Sequence, residues 1–199
     1  PYPSHDPEFD PDNIRYSCIK YAPTIQEMIT SQVWTDPRSG EIFSATIYIP
    51  YNTLKSIHGE MFMQLGGVDP DIRKPDYSQD LVLKGLAAQV TYHVGKCIGL
   101  ADNFAGSYVI PFDSLRSPSF TRTYGISSSI MDRLPYNYVA CPGDKERGVA
   151  LLQTEPGVYD QYAVKWLYSY IPDVKTPEEE RELLQQIIDE GKKDPMCFY

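Results

Sequence analysis

Apolar residues at Leu83, Leu86, Ala87, Val90, Val94, Cys97 and Ile98 recur at helical spacing through a run without proline. This pattern predicts a largely buried helix from about Asp80 to Ile98, ended at Gly99 by a left-handed turn that reverses the chain toward the helix face. Upstream, the alternating, β-rich residues 13–21 predict a strand, and Asp36-Pro37-Arg38-Ser39-Gly40 has the chemistry of a turn. A second strand follows over residues 41–49 and ends at Pro50. Residues 52–65 predict a helix, with Asn52 or Thr53 as N-cap and Gly66-Gly67 as stop, and residues 68–77 a loop. Residues 100–153 carry no strong period and predict ordered loops. Residues 156–170 predict a helix with Tyr159, Tyr162, Ala163, Trp166, Leu167 and Tyr170 on one stripe. Thr176-Pro177-Glu178-Glu179 reads as a capping box with proline at the first helical position, opening a last helix that runs to about Glu190 and stops at Gly191.

A chain of 199 residues suits one domain, or one domain split by a cleft, and buries roughly 70% of its unfolded surface. A hydrophobic content of 42% and a charged content of 23% are ordinary for a globular protein. The net charge of −9, with 18 scattered basic residues and no basic run longer than Lys192-Lys193, argues against nucleic acid as a partner. No apolar stretch approaches the ~20 residues of a membrane span. Residues 1–12 are linker-like, with neither an initiator Met nor a signal peptide, and lead to the expectation of a longer parent polypeptide. Cys18, Cys97, Cys141 and Cys197 have no C-x-x-C spacing and read as free buried thiols, one disulfide remaining open. Sixteen tyrosines and 17 prolines without an internal repeat point to long ordered loops.

The chemistry centres on residues 92–104, Tyr-His-Val-Gly-Lys-Cys-Ile-Gly-Leu-Ala-Asp-Asn-Phe. This segment resembles H-E-x-x-H-x-x-G-x-x-H, in which three histidines hold Zn²⁺ and a glutamate activates water. With Gly99 as the motif glycine, the ligand positions fall on Tyr92, Lys96 and Asp102, and the glutamate position falls on His93. Leu100-Ala101-Asp102-Asn103-Phe104 is similar to the Gly-Leu-x-His-Asn-Phe continuation of one peptidase family. Ser129-Ile130-Met131-Asp132 resembles the Met-turn beneath the zinc. Segments 36–42, 109–118, 136–140 and 159–166 extend the likeness over most of residues 8–170. The chain thus resembles a zinc-dependent metallopeptidase of the metzincin type, from a large secreted bacterial family, with a degenerate zinc motif. One more departure is Arg133, where the family tends to carry an aromatic residue.

The resemblance implies an α+β metzincin-like fold, with a cleft between an upper sheet-and-helix part (about residues 13–99) and a lower loop-rich part (about 100–199). Met131 belongs on the cleft floor. The edge strand that would pair with a peptide is not identifiable from the sequence, because part of the upper sheet can lie upstream of residue 1. The resemblance also implies an extracytoplasmic location: secreted, periplasmic or cell-surface.

The four substitutions suit zinc poorly. Tyrosine is a poor ligand beside His, Cys or carboxylate. A lysine charge about 4 Å from a divalent ion costs on the order of 8 kcal/mol at an effective dielectric of 20. Asp102 alone does not make a site, so no metal and no catalytic residue is expected. A shifted pair, His93 and Cys97, lies about 100° around the helix from the motif face, and the loop after Gly99 is aimed elsewhere; His93 in the cleft and Cys97 in the core is the preferred reading. No G-x-S-x-G segment accompanies the three histidines, His5, His58 and His93.

The resulting reading is a pseudoprotease domain without zinc or general base, acting as a scaffold or as a module for a peptide or protein ligand, next to other domains of the same polypeptide. One rival is an active metallopeptidase using non-standard ligands such as His58. Another is a purely structural domain whose cleft is filled by its own side chains. Complementary charge predicts a Lys96–Asp102 hydrogen bond of about 2.7–2.9 Å with Tyr92 nearby. The alternative has Lys96 reaching solvent and Asp102 capping a backbone amide.

Overall fold

Strands β1 (Cys18–Ala22), β2 (Thr30–Thr35) and β3 (Ile42–Pro50) form one sheet in the order β1-β3-β2. The computed structural model describes residues 5–74, 79–172, 174 and 176–199. β1 runs parallel to β3, with Cys18 opposite Thr46, and β2 runs antiparallel, with Thr30 opposite Tyr48. The expected turn closes the β2–β3 hairpin: Asp36 N–H donates to Glu41 C=O and Gly40 N–H to Asp36 C=O, each at 2.8 Å.

The strand expected over 13–21 is shorter and displaced. Residues 13–16 form a turn because Asn13 captures the local donors, its side chain accepting from Arg15 N–H at 3.0 Å and its carbonyl from Tyr16 N–H at 3.0 Å. β2 was not foreseen. Its inward positions are Ser31 and partly buried Val33, following buried Ile29 just before the strand, and the polar Ser31 breaks the apolar pattern that marks a strand.

Two long helices lie under the sheet, α1 (Thr53–Leu65) and α2 (Gln79–Cys97), close to the expected limits. Asn52 occupies the N-cap of α1 without capping it; its side chain donates instead to Ile25 C=O. Gly66 is right-handed, and the chain turns through Val68 and Asp69, which both donate to Leu65 C=O at 2.8 Å. Within the expected loop 68–77, Pro70–Arg73 make a 3₁₀ turn capped by Asp69; residues 75–78 lie outside the described residues. Ile57, Met61, Leu65, Ile72 and Val82 form the core between the helices, while Ile29, Ala45, Ile47 and Cys97 join α2 to the sheet.

The expectation of loops over 100–153 holds only in part. Short helices α3 (Ala105–Tyr108), α4 (Phe112–Leu115) and α5 (Pro118–Tyr124) and a 3₁₀ turn at Ile130–Asp132 occupy this region. They are too short to leave a period in the sequence. Buried polar side chains fix their arrangement. Gln153 Oε1 accepts from Ile126 N–H (2.8 Å) and Ser127 N–H (3.2 Å), and Asn137 Nδ2 donates to Leu115 C=O (2.7 Å) and Ala150 C=O (3.0 Å). Asp160 accepts from Ser129 Oγ (2.6 Å), Ile130 N–H (2.7 Å) and Gly157 N–H (2.7 Å).

Asp160 lies on α6 (Val158–Tyr168) and is the helix's one buried residue. The aromatic stripe expected there is half-covered at best; Trp166, Leu167 and Tyr170 are exposed. Its partners are α7 (Pro177–Gly191) and the C-terminal turn, with the Tyr159 and Tyr199 rings stacked at 6.1 Å. α7 starts after Thr176 as expected, but no capping box forms, because the Thr176 side chain makes no cap hydrogen bond. All four cysteines are free; Cys97 is buried, whereas Cys141 is exposed, contrary to the reading of four buried thiols. Cys141 sits in a solvated turn held by its N–H donating to Asp144 at 2.8 Å.

Removing the Asp160 carboxylate orphans three buried donors, each costing about 1–3 kcal/mol with some relaxation. Asp160→Ala should therefore lower the unfolding free energy by about 3 kcal/mol in urea titrations; a loss below about 1 kcal/mol would contradict the anchoring role.

Candidate functional site

α2 delivers the central residues. Tyr92 and Lys96 stand one turn apart on the face turned to the lower half, and His93 is rotated toward β2. The helix ends in a Schellman arrangement: Leu100 N–H donates to Gly95 C=O at 2.9 Å and Gly99 N–H to Lys96 C=O at 3.1 Å, with Gly99 left-handed at φ +87. Leu100 is thereby buried with Ile130 and Met131. Met131 is fully buried in the 3₁₀ turn below α2, and its sulfur occupies the space that a Cβ on Gly95 would need. The reversal at Gly99 carries Asp102 back to the face of α2.

There a closed cluster forms. The Lys96 ammonium lies 2.9 Å from Asp102 Oδ1, within the expected range, and the Tyr92 hydroxyl donates to the same oxygen at 2.8 Å. Both side chains of the pair are partly exposed, Lys96 at 31% and Asp102 at 27%. Two cations flank the Tyr92 ring: Lys96 Nζ and the Arg133 guanidinium, each 5.7 Å from its centroid. The His93 ring meets that of Tyr92 edge-on at 5.2 Å, and its Nδ1 lies 3.1 Å from Ser31 Oγ. Cys97 turns into the core below the sheet and does not join His93. His58 is on α1, its Nε2 3.3 Å from Ile72 C=O, and lies outside the cleft lining.

The electrostatics are mutually consistent. The hydrogen bond to Asp102 raises the Lys96 pKa against a smaller effect of burial. Burial works to raise the Asp102 pKa, but the bonds from Lys96 and Tyr92 outweigh it and hold the carboxyl below its usual value. Burial, followed by the bond to Asp102, pushes the Tyr92 phenol up. Burial, with the positive charges of Arg133 and Lys96, lowers the His93 pKa. Lysine and aspartate are thus charged at neutral pH, tyrosine protonated and His93 neutral.

A cavity of about 250 Å³ opens beside this cluster, between α1, α2 and the segment after the Met131 turn. Sequence reasoning missed its polar wall. Glu60 accepts from Tyr136 Oη at 3.3 Å and from Gln89 Nε2 at 3.4 Å. Tyr136 falls in the family-like segment 136–140, but neither Glu60 nor Gln89 belongs to a motif. Glu60 and Gln89 were legible only as residues on the facing sides of two adjacent helices.

The sequence matches the Met-zincin family over residues 74–199, more than half of the chain. The chain belongs to this family. No curated protein and no solved structure matches it. The donors that the sequence resemblance sets against zinc are Tyr92, Lys96 and Asp102. The donor set here does not suit Zn²⁺: the ammonium has no lone pair, the phenol is protonated, and one carboxylate oxygen already accepts two bonds. Among the described residues no three His, Cys, Asp or Glu side chains converge as a metal site.

Asp102→Ala should strand a partly exposed lysine and cost about 1–2 kcal/mol, between the values for surface and for buried pairs; a shift in the urea midpoint far outside that range would refute the solvent-screened pair. His93 adds a pH dependence. Because its folded pKa is below its ordinary 6.5, its contribution is complete above that value and is lost as pH falls from 6.5 through the folded value. Melting curves should therefore show stability declining as pH falls below about 6.5, and His93→Gln should flatten this slope. An unchanged slope in the variant would assign it elsewhere.

Proposed function

We propose that this Met-zincin domain is a pseudoprotease: a metallopeptidase-like scaffold that binds a peptide or protein segment along its cleft without hydrolysing it. One observation carries the reading, the shared Asp102 oxygen. The residues at the zinc-ligand positions satisfy one another, with Lys96 and Tyr92 both bonded to Asp102. Neutral His93, bonded to Ser31, takes the place of the glutamate that would activate water. No step of peptide hydrolysis follows from these groups, since none both polarises a carbonyl and deprotonates a water molecule.

Binding is favoured over a self-filled structural domain by the open cavity beside the cluster. Strand β2 follows the lining residue Ile29 and stands at the sheet edge; among the described residues it pairs with β3 alone, and its other side suits an extended segment adding as a further strand. The motif glycine, the Met131 turn and the α2 frame fit a scaffold kept for shape. The rival reading of an active peptidase with unusual ligands has no supporting geometry at His58. We further infer that residues 13–199 act as one domain in an extracytoplasmic setting, as the family likeness suggests. No helix among the described residues is long and apolar enough to cross a membrane.

Elemental analysis of the purified domain after incubation with zinc should give well under about 0.1 ion per chain, and casein-type substrates should remain intact. The combined variant Tyr92→His, His93→Glu, Lys96→His and Asp102→His should gain roughly one tightly held zinc, because the backbone frame is in place. Near-stoichiometric zinc in the unmodified protein that survives mild chelation, or hydrolysis abolished by Lys96→Ala, would overturn the proposal.

A further inference from the structure

The cavity beside Tyr92 is built asymmetrically. Its lining includes apolar Ile29, Ala88, Ile130 and Leu134 and two acidic residues, exposed Glu27 at the mouth and half-buried Glu60. Among the described residues, Glu60 receives two long neutral hydrogen bonds, from Tyr136 and Gln89. No ion pair to it occurs among the described residues. Tyr136 is itself buried, and its phenol is held firmly protonated by burial and by the adjacent Glu60 charge, so that hydroxyl is a fixed donor. Gln153, also in the lining, is buried, with its amide oxygen accepting from Ile126 and Ser127 and its nitrogen donating to Glu155 C=O. Of the two positive candidates in the lining, His93 is neutral, and Arg133 is exposed and stacked on the Tyr92 ring.

An apolar occupant would desolvate the carboxylate without compensation. An acidic occupant would meet a like charge. A methylene chain ending in a cation satisfies both features: the stem lies against the apolar wall and the head reaches the carboxylate. We propose that this cavity receives the basic side chain, lysine or arginine, of a segment bound along the cleft, with Glu60 as its counter-ion. The assignment rests on the peptide-binding reading above and gives that ligand a chemical class. Glu60 becomes the specificity-determining residue, oriented by Tyr136 and Gln89.

Two probes test it on the full chain. Fluorescein-labelled alanine-rich peptides of roughly ten residues, differing only in a central Lys, Arg, norleucine or Glu, are titrated and followed by anisotropy. The Lys and Arg peptides should bind at least about 10-fold more tightly than the norleucine peptide. Glu60→Gln should bring that ratio to near one, weakening the Lys and Arg peptides while norleucine binding holds or tightens as the desolvation cost of the carboxylate is relieved, and Glu60→Asp should keep part of the ratio, which separates loss of charge from loss of fold. The second probe, Nα-acetyl-lysine methylamide, enters the cavity without needing the rest of the cleft; it should shift the Gln89 side-chain amide resonance, and not in Glu60→Gln. Equal affinity for Lys and norleucine peptides, or a ratio unchanged in Glu60→Gln, overturns the assignment to Glu60 and leaves peptide binding standing. A Gln89 shift with the small probe but no peptide binding supports the cavity assignment and sinks the peptide reading. No response to either probe overturns both.

Discussion

One carboxylate oxygen closes the centre of this domain. Asp102 Oδ1 accepts from Tyr92 and Lys96 together, and so joins helix α2 to the loop that follows it, the connection that on the proposed reading a family zinc would make. The connections are geometrically alike and energetically far apart. A structural Zn²⁺ can contribute on the order of 10 kcal/mol, whereas a partly exposed ion pair supplies about 1. The cluster alone is too weak to define the cleft. Its geometry is imposed by the Schellman turn at Gly99, by Leu100 and Met131 packed beneath α2, and by the missing side chain of Gly95 that lets the Met131 sulfur in. The ion pair is better understood as neutralisation of polar groups that the frame forces together.

That division explains what the sequence made legible. α2 and its end were readable because each rests on a local rule: apolar residues at helical spacing, a glycine needing positive φ, and opposite charges at positions the turn must bring together. β2 was not readable. Its central inward residue is Ser31, selected by the His93 ring beside it rather than by apolar burial. The lower half was opaque for a different reason. Asn137, Gln153 and Asp160 organise it by accepting from or donating to backbone groups 13 to 30 residues away. In a chain with 27 acidic residues, nothing local distinguishes a buried anchor such as Asp160 from a solvated carboxylate. The aromatic stripe of α6 misled for the converse reason: tyrosine and tryptophan keep helical spacing even where only half of each ring is covered.

Arg133 shows what the frame exacts at its most constrained point. It has a left-handed backbone at φ 58, alone among the non-glycine residues described, and such a conformation costs a non-glycine residue roughly 1–2 kcal/mol. The strain is set by its neighbours. Met131 must stay under α2, and Asp132 is held inside by Ser127 Oγ at 2.9 Å, which leaves Arg133 to make the chain turn away. The conformation lays the guanidinium against the exposed face of Tyr92, and that cation–π contact offsets part of the cost, about 0.5–1 kcal/mol at such a site. Tyr92 is therefore held on three sides, by Asp102 at its hydroxyl and by Lys96 and Arg133 at its ring. A phenol fixed in this way closes the cleft centre and leaves the neighbouring cavity open, and the two features have one cause. Tyr92 and Arg133 both belong to the cavity lining, so the cation–π contact that fixes the phenol also fixes that part of the cavity wall.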